Sequence, residues 1–253
     1  MSALYVLGIV EAGAIPDAQG IGPGLAGAEV SLFRTSCGLS ALVSDSAPEP
    51  PEPTRRNMIA HTTALERAIA RADVLPMRFA TIAPDAAQLD ACLSRQDGLF
   101  RAALAQVAGH IELGVKAFWQ EGVAFREILA ADPALKAQRD RLQSRPGSQT
   151  YHERIELGRK VEVALERLRD QDAAGIAAVL RPLASQSATL KNLDETMVLN
   201  RAFLVRRAAE AAFDAAIRGL GEAQDARMTL RYIGPVPPYN FVTLRADWLA
   251  QAA

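Results

Sequence analysis

From Leu4 to Val10 the residues are mostly β-branched, aromatic or otherwise apolar, which predicts a first β-strand. The polar, glycine-rich EAGAIPDAQGIGPGLAG that follows must be loop. Two strand-like runs, AEVSLFR and CGLSALVSD, come next with Thr35 and Ser36 between them, the spacing of a hairpin. APEPPEP, residues 47–53, is a stiff connector, because proline removes ladder donors and holds the backbone near an extended form. Residues 54–72 set Met58, Ile59, Leu65, Ala68, Ile69 and Ala72 at helical spacing, with Arg and Glu on the other face. VLPMRFATI, residues 74–82, reads as a strand in which Pro76 favours an edge or entry position. The order strand, long loop, strand, strand, helix, strand is a βαββαβ, ferredoxin-like plan with its first helix replaced by a loop.

The second half repeats that order. Residues 85–108 predict a connecting helix opened by Pro84 and Asp85. IELGVKAFW alternates Val115, Ala117 and Trp119 against Gly114, Lys116 and Phe118, as a strand does. Helical pattern runs from Glu121 to Leu142, breaks at SRPGS, and resumes from about Gln149 to Asp170 with Ile155, Gly158, Val161, Leu165 and Leu168 as its apolar stripe. A helical hairpin follows from this. A further helical piece at 173–184, strand-like ATLKNLD and TMVLNRAFLVRR, a small-residue helix at 208–220 and the strand ARMTLRYIG complete a second βαββαβ pattern. The expected architecture is therefore α+β with two ferredoxin-like sheets. Residues 1–84 form a modified N-terminal domain, 85–110 a connecting helix, and 111–253 a C-terminal domain with a helical hairpin at about 121–186 and a proline-rich tail.

Composition agrees with two domains: 253 residues, 49% hydrophobic and 23% charged. A chain of this size removes roughly 70% of its unfolded surface from water, so an apolar core suffices. Cys37 and Cys92 lie in no CxxC and near no His pair, which points to a reducing, cytoplasmic compartment and no zinc signature, with a single Cys37–Cys92 bridge left open. The 28 basic and 29 acidic residues are mixed along the chain, which argues against a nucleic-acid footprint. The Arg-rich QRDRLQSR reads as a solvated helix end. MSALYVLGIVEAG lacks a basic n-region and meets Glu11 early, and no uncharged apolar run is long enough to span a membrane.

Candidate chemistry is sparse. GPGLAG, Gly22 to Gly27, satisfies GxGxxG, but a dinucleotide site needs those glycines directly after a strand and opening a helix, and here a strand former follows. A flexible loop is the better reading, so no cofactor is expected. His61, His110 and His152 share no metal or catalytic spacing and read as surface or helix-face residues. Ser40 and Ser44 sit in no GxSxG elbow, and DQD at 170–172 reads as a solvated helix end. No catalytic, cofactor or metal residue is assigned.

The densest segment is RYIGPVPPYNFV. Its strand is expected to end at Gly234, since Pro235, Pro237 and Pro238 donate no ladder bonds. Tyr239, Phe241 and Trp248 then either anchor the tail on the protein or present it to a partner. With LYVLGIV, VLPMRFATI, LGVKAFW and RAFLVRR, this segment resembles the gas vesicle protein F/L (GvpF/GvpL) family, in family order over nearly the whole chain. The GPxPPYxF tail and LPxRF carry most of that resemblance. One departure is Ala80, where family members often have Gly, which predicts a backbone there with no need for positive φ.

The resemblance implies a cytoplasmic, non-enzymatic protein of gas vesicle assembly with two α+β, ferredoxin-like domains. It also implies as partners the small hydrophobic shell protein (GvpA) and other accessory Gvp proteins. Such a shell subunit aggregates if its strand edges and apolar faces are left free. Two small sheets offer cover by strand addition or by a helix-binding groove. Pro76, Met77, Arg78 and Phe79, with Gly234, Pro235, Pro237, Pro238, Tyr239 and Phe241, are the candidate partner contacts, inter-domain packing being the alternative role. A small-molecule-binding or enzymatic ferredoxin-like module, marked by an enclosed polar pocket, is one competing function. A minor component of the vesicle wall is the other.

Overall fold

The computed structural model describes residues 3–242. The chain is mixed α and β, and its described residues divide into two compact units, 3–113 with 204–207 and 233–242, and 114–203 with 208–232. These units do not follow straight cuts of the chain at 84 and 110, because residues 233–242 belong with the first.

In the first unit, β1 (Ala3–Glu11), β2 (Val30–Arg34), β3 (Leu39–Ser46), β4 (Leu75–Pro76) and β5 (Ile82–Ala83) make one antiparallel sheet. Its order is β2-β3-β1-β4, with β5 also on β1. β1 lies inside the sheet, so its two faces feed two cores, and this is why LYVLGIV is apolar almost throughout. Val6 and Ile9 pack with Leu89, Leu93, Phe100 and Leu104. These come from α2 (Ala86–Arg95) and α3 (Asp97–Val107), which replace the single expected helix because the backbone turns at Gln96. Tyr5, Leu7 and Val10 pack on the other side with Leu65, Ala68 and Ile69 of α1 (Arg55–Ile69). Thr54 caps α1 by accepting the Asn57 N–H at 3.2 Å. Its buried stripe is His61, Ala64, Leu65, Ala68 and Ile69, whereas Met58 and Ile59 are 41% and 53% exposed, so the apolar face starts one turn later than expected.

The expected strand 74–82 is two short pieces flanking a turn. The expected loop at 11–27 is packed, with Ile15 and Ile21 buried and the Arg67 guanidinium donating to the Ile21 carbonyl at 3.2 Å. Its glycines lead into a short 3-10 turn, Leu25–Gly27, and then β2, so no helix N-terminus faces them. The Cys37–Cys92 bridge that the sequence left open is not formed.

The second antiparallel sheet has the order β7-β8-β6-β9. Its strands are β6 (His110–Trp119), β7 (Gln186–Thr189), β8 (Met197–Arg206) and β9 (Met228–Val236). The ends of β6, β8 and β9 fall in the first unit by the division above. β7 stops at Thr189 rather than running to 194, because side chains take over the backbone partners. Asn200 donates to the Lys191 carbonyl at 2.7 Å, and Asp194 accepts from the Thr196 and Met197 amides at 2.9 and 3.0 Å.

Three helices fill the expected hairpin. The first expected helix is split into α4 (Val123–Ala131) and α5 (Pro133–Gln143) by Asp132, whose carboxylate caps α5 through the Ala134 and Leu135 amides. The pieces expected at 149–170 and 173–184 are one 30-residue helix, α6 (Tyr151–Leu180). Its stripe toward Ile128, Leu129 and Leu135 is Leu157, Val161, Ala164, Leu165 and Leu168, while Ile155 and Gly158 face outward. Asp172 is consequently mid-helix rather than at a solvated end. It accepts the Trp119 indole N–H at 2.8 Å and pairs with Arg227, which also bridges Glu127 at 2.6 Å. That guanidinium holds the Glu127 carboxyl below its usual range. α7 (Glu210–Gln224) follows β8, and its Phe213 packs between Phe203 and Tyr232. Among the described residues no helix is long and apolar enough to cross a membrane.

Candidate functional site

The two segments singled out by sequence meet, in the first unit, at a histidine that sequence reasoning set aside. His61 is 2% exposed on the sheet-facing side of α1. Its ring stands edge-on to Tyr5 and Phe79, with centroids 5.7 and 5.8 Å apart, and tilted against Tyr239 at 6.2 Å. Phe79 comes from LPMRF and Tyr239 from PPYNF, so the family-like motifs close one aromatic cage. The sequence signal was present: position 61 lies four and seven residues before Leu65 and Ala68, on the buried stripe.

Within the cage the polar atoms are arranged for a neutral imidazole. Tyr5 Oη lies 2.8 Å from His61 Nδ1 and accepts the Ala80 backbone N–H at 3.3 Å. Oη and Nδ1 share one proton, carried by the phenol or by Nδ1 according to the imidazole tautomer. Nε2 has no hydrogen bond of good geometry. Burial therefore pulls the His61 pKa down to about 4, opposed only in part by the Met77 backbone. Burial likewise pushes the Tyr5 and Tyr239 phenols above the ordinary tyrosine range. A buried, neutral ring packed among neutral phenols is a core element of the first unit.

Each arm of the cage is pinned. In the first, Met77 N–H donates to Leu7 at 2.9 Å, and Thr81 Oγ1 donates to the Arg78 carbonyl at 2.7 Å. The turn between β4 and β5 puts Ala80 at φ 66°, so the expectation that no positive φ is needed there is wrong. Tyr5 stabilises that turn through the Ala80 amide. In the second arm, β9 runs through Gly234 to Val236 and does not end at Gly234 as expected. Gly234 has φ +136°, and a Cβ there would stand 2.9 Å from the Glu112 carbonyl oxygen. Beyond the cis Gly234–Pro235 peptide, the Glu112 carboxylate takes the Asn240 backbone N–H at 2.9 Å and its side-chain amide. Gln106 holds the Phe241 carbonyl at 3.1 Å. Burial raises the Glu112 pKa, and the Asn240 bonds pull it back.

Of the candidate residues, Pro76, Met77, Pro237, Pro238 and Phe241 are buried, Phe79 and Tyr239 are half-buried, and Arg78, Gly234 and Pro235 are exposed. Glu112 and His61 are the members that motif reading missed. No group of three or more His, Cys, Asp or Glu among the described residues is placed to hold a metal ion.

Fold and site together define an α+β protein of two antiparallel sheets whose distinctive motifs lock one of its cores. The profile of the gas vesicle synthesis protein GvpL/GvpF family matches residues 3–243, and the chain belongs to that family. It is 34% identical over 211 residues to gas vesicle protein F of Streptomyces sp. (strain CB03234), covering 81% of this chain and 84% of the relative. With gas vesicle protein F of Nostoc sp. it shares 26% identity over 248 residues, 96% and 99% of the two chains. The crystal structure of GvpF from Anabaena sp. PCC7120 superposes with a TM-score of 0.84 at 26% identity, over 97% of this chain and all of that one. Membership gives the protein a gas vesicle-associated role.

Proposed function

We propose that this protein is a non-enzymatic assembly factor that binds the small hydrophobic gas vesicle shell protein (GvpA) and other accessory Gvp proteins in the cytoplasm, delivering shell subunits to the growing vesicle. The observation that carries the reading is the family match over nearly the whole chain. The closed state of the one buried histidine cage favours it over a catalytic module. We further read both sheets as ferredoxin-like, since each takes its strands in the spatial order second, third, first, fourth. Such sheets leave outer strands, among them β2, paired on one side only, the kind of edge that strand addition uses. For the partner contact we favour the exposed part of the first motif, Arg78, together with the outward apolar residues Met58 and Ile59 of α1.

The test is a co-expression pull-down with the shell protein. Cutting the chain before Gly234 is uninformative because it removes the buried Pro237, Pro238 and Phe241. Wild type is instead compared with Ile59→Asp and Arg78→Glu, each checked to melt with wild type. Capture by wild type and weaker capture by the variants is the expected result. Failure of wild type to capture the shell protein overturns the reading, and equal capture by all three moves the contact elsewhere.

A further inference from the structure

A groove of about 570 Å³ runs along α6 in the second unit, walled opposite by β8 and the segment after β7. Its helix side includes residues 169, 173, 177 and 181 at four-residue steps, so Arg169 and Arg181 stand at the ends of an alanine strip roughly 18 Å long. Arg201 of β8 stands across from it. Three guanidiniums thus line the groove against a single carboxylate, Asp170. Among the described residues none of the three is in an ion pair.

Two of them are held in place by neutral groups that leave the charge uncompensated. Arg169 donates to the Glu195 carbonyl at 2.9 Å and lies 5.4 Å over the Trp119 ring. Arg201 donates to Thr189 Oγ1 at 2.7 Å. In both, Nε is buried and has no acceptor. Half-buried cations of the same sign, fixed in position with free donors, are matched by oxyanions, for which the guanidinium fork is shaped.

We infer that this groove binds an acidic segment of a protein partner, with carboxylates on one face reaching the three arginines and small apolar residues on the other lying along the alanine strip. A free phosphate fits less well. Phosphate sites converge several donors, backbone N–H groups among them, on one small anion, whereas the guanidiniums here are spread along a strip roughly 18 Å long. The length of the strip also matches about three turns of helix rather than one small anion. From the assembly reading the inference takes only that the ligand is a protein.

The test uses the full chain and a fluorescein-labelled helical peptide of about 14 residues, roughly 20 Å long, with Glu at every fourth position on an Ala/Leu background. Its twin carries Gln for Glu. Anisotropy is read at about 50 mM salt, where exposed charges still act. The acidic peptide is expected to bind and to lose about tenfold in affinity with Arg181→Gln or Arg201→Gln, but nothing with Arg218→Gln on α7. Arg181 is exposed and makes no ion pair, so its variant stays informative if Arg201→Gln fails to fold. Binding of the Gln twin as tightly, insensitivity to both variants, or no binding overturns the inference. Displacement by inorganic phosphate that itself binds wild type but not Arg201→Gln overturns it in favour of a small-anion site. No gas vesicle component is present, so the outcome is independent of shell protein capture.

Discussion

Two backbone positions carry opposite demands. Ala80 occupies φ 66°, where an L-residue costs roughly 1–2 kcal/mol and glycine costs nothing sterically. Glycine gives back part of that gain through its greater unfolded freedom, so Ala80→Gly is expected to stabilise the protein by about 0.5–1 kcal/mol. Gly234 is the reverse case. Gly234→Ala forces a Cβ against the Glu112 carbonyl oxygen and the Leu113 side chain, both at 2.9 Å, in a strained φ region. A loss of about 2–4 kcal/mol is expected. Urea unfolding of the two variants checks both, and a destabilised Ala80→Gly would mean that the turn is held by more than its φ.

At the scale of elements, the last described segment depends on one carboxylate. Glu112→Ala leaves the Asn240 amide without its acceptor, a cost of about 1–3 kcal/mol. Faster hydrogen exchange at residues 239–242, with β1 and β3 unchanged, is the expected signature; unchanged exchange throughout would remove Glu112 from that role. Neither partner was readable from sequence, because 128 positions separate them and each looks ordinary in its own neighbourhood. What was readable was periodic: the nine-residue β1, the hairpin partners β2 and β3, the start of α1 after Thr54, and β6. Errors came where side chains redirect a pattern. Asp132 caps a new helix inside a helical run, and Asn200 and Asp194 end a strand that propensity would continue. For α6, reading a break at the charged DQD missed Trp119 and Arg227, which make Asp172 an interior position. The motif segments were found, but their meeting point was not, since His61 has no metal or catalytic spacing and its helical spacing from Leu65 and Ala68 marks burial alone.

For the molecule as a whole, the cage sets an acid limit. The His61 pKa is about 4 in the fold and 6.5 in the unfolded chain, so the unfolded state binds the extra proton between those values. Its stabilisation is complete above pH 6.5 and is lost as pH falls toward 4. Stability should drop by about 2 kcal/mol from pH 7 to pH 5 relative to His61→Gln, which keeps an acceptor for Tyr5 but does not titrate. Tyr5 and Tyr239 stay neutral over this range. Glu112, raised by burial, acts in the opposite sense, its contribution being lost as pH rises through its folded value, and it cancels in the comparison. Parallel pH profiles of the two proteins would show that the ring is not held neutral. The cage also constrains how the protein is made. Tyr5 and His61 leave the ribosome early, yet Tyr239, which closes their core, is translated 126 residues after Leu113. At common elongation rates the first unit waits on the order of ten seconds with that aromatic surface uncovered, because the second unit, which runs to residue 232, is translated in between. A nascent chain of this protein is thus itself a client for chaperones during that interval.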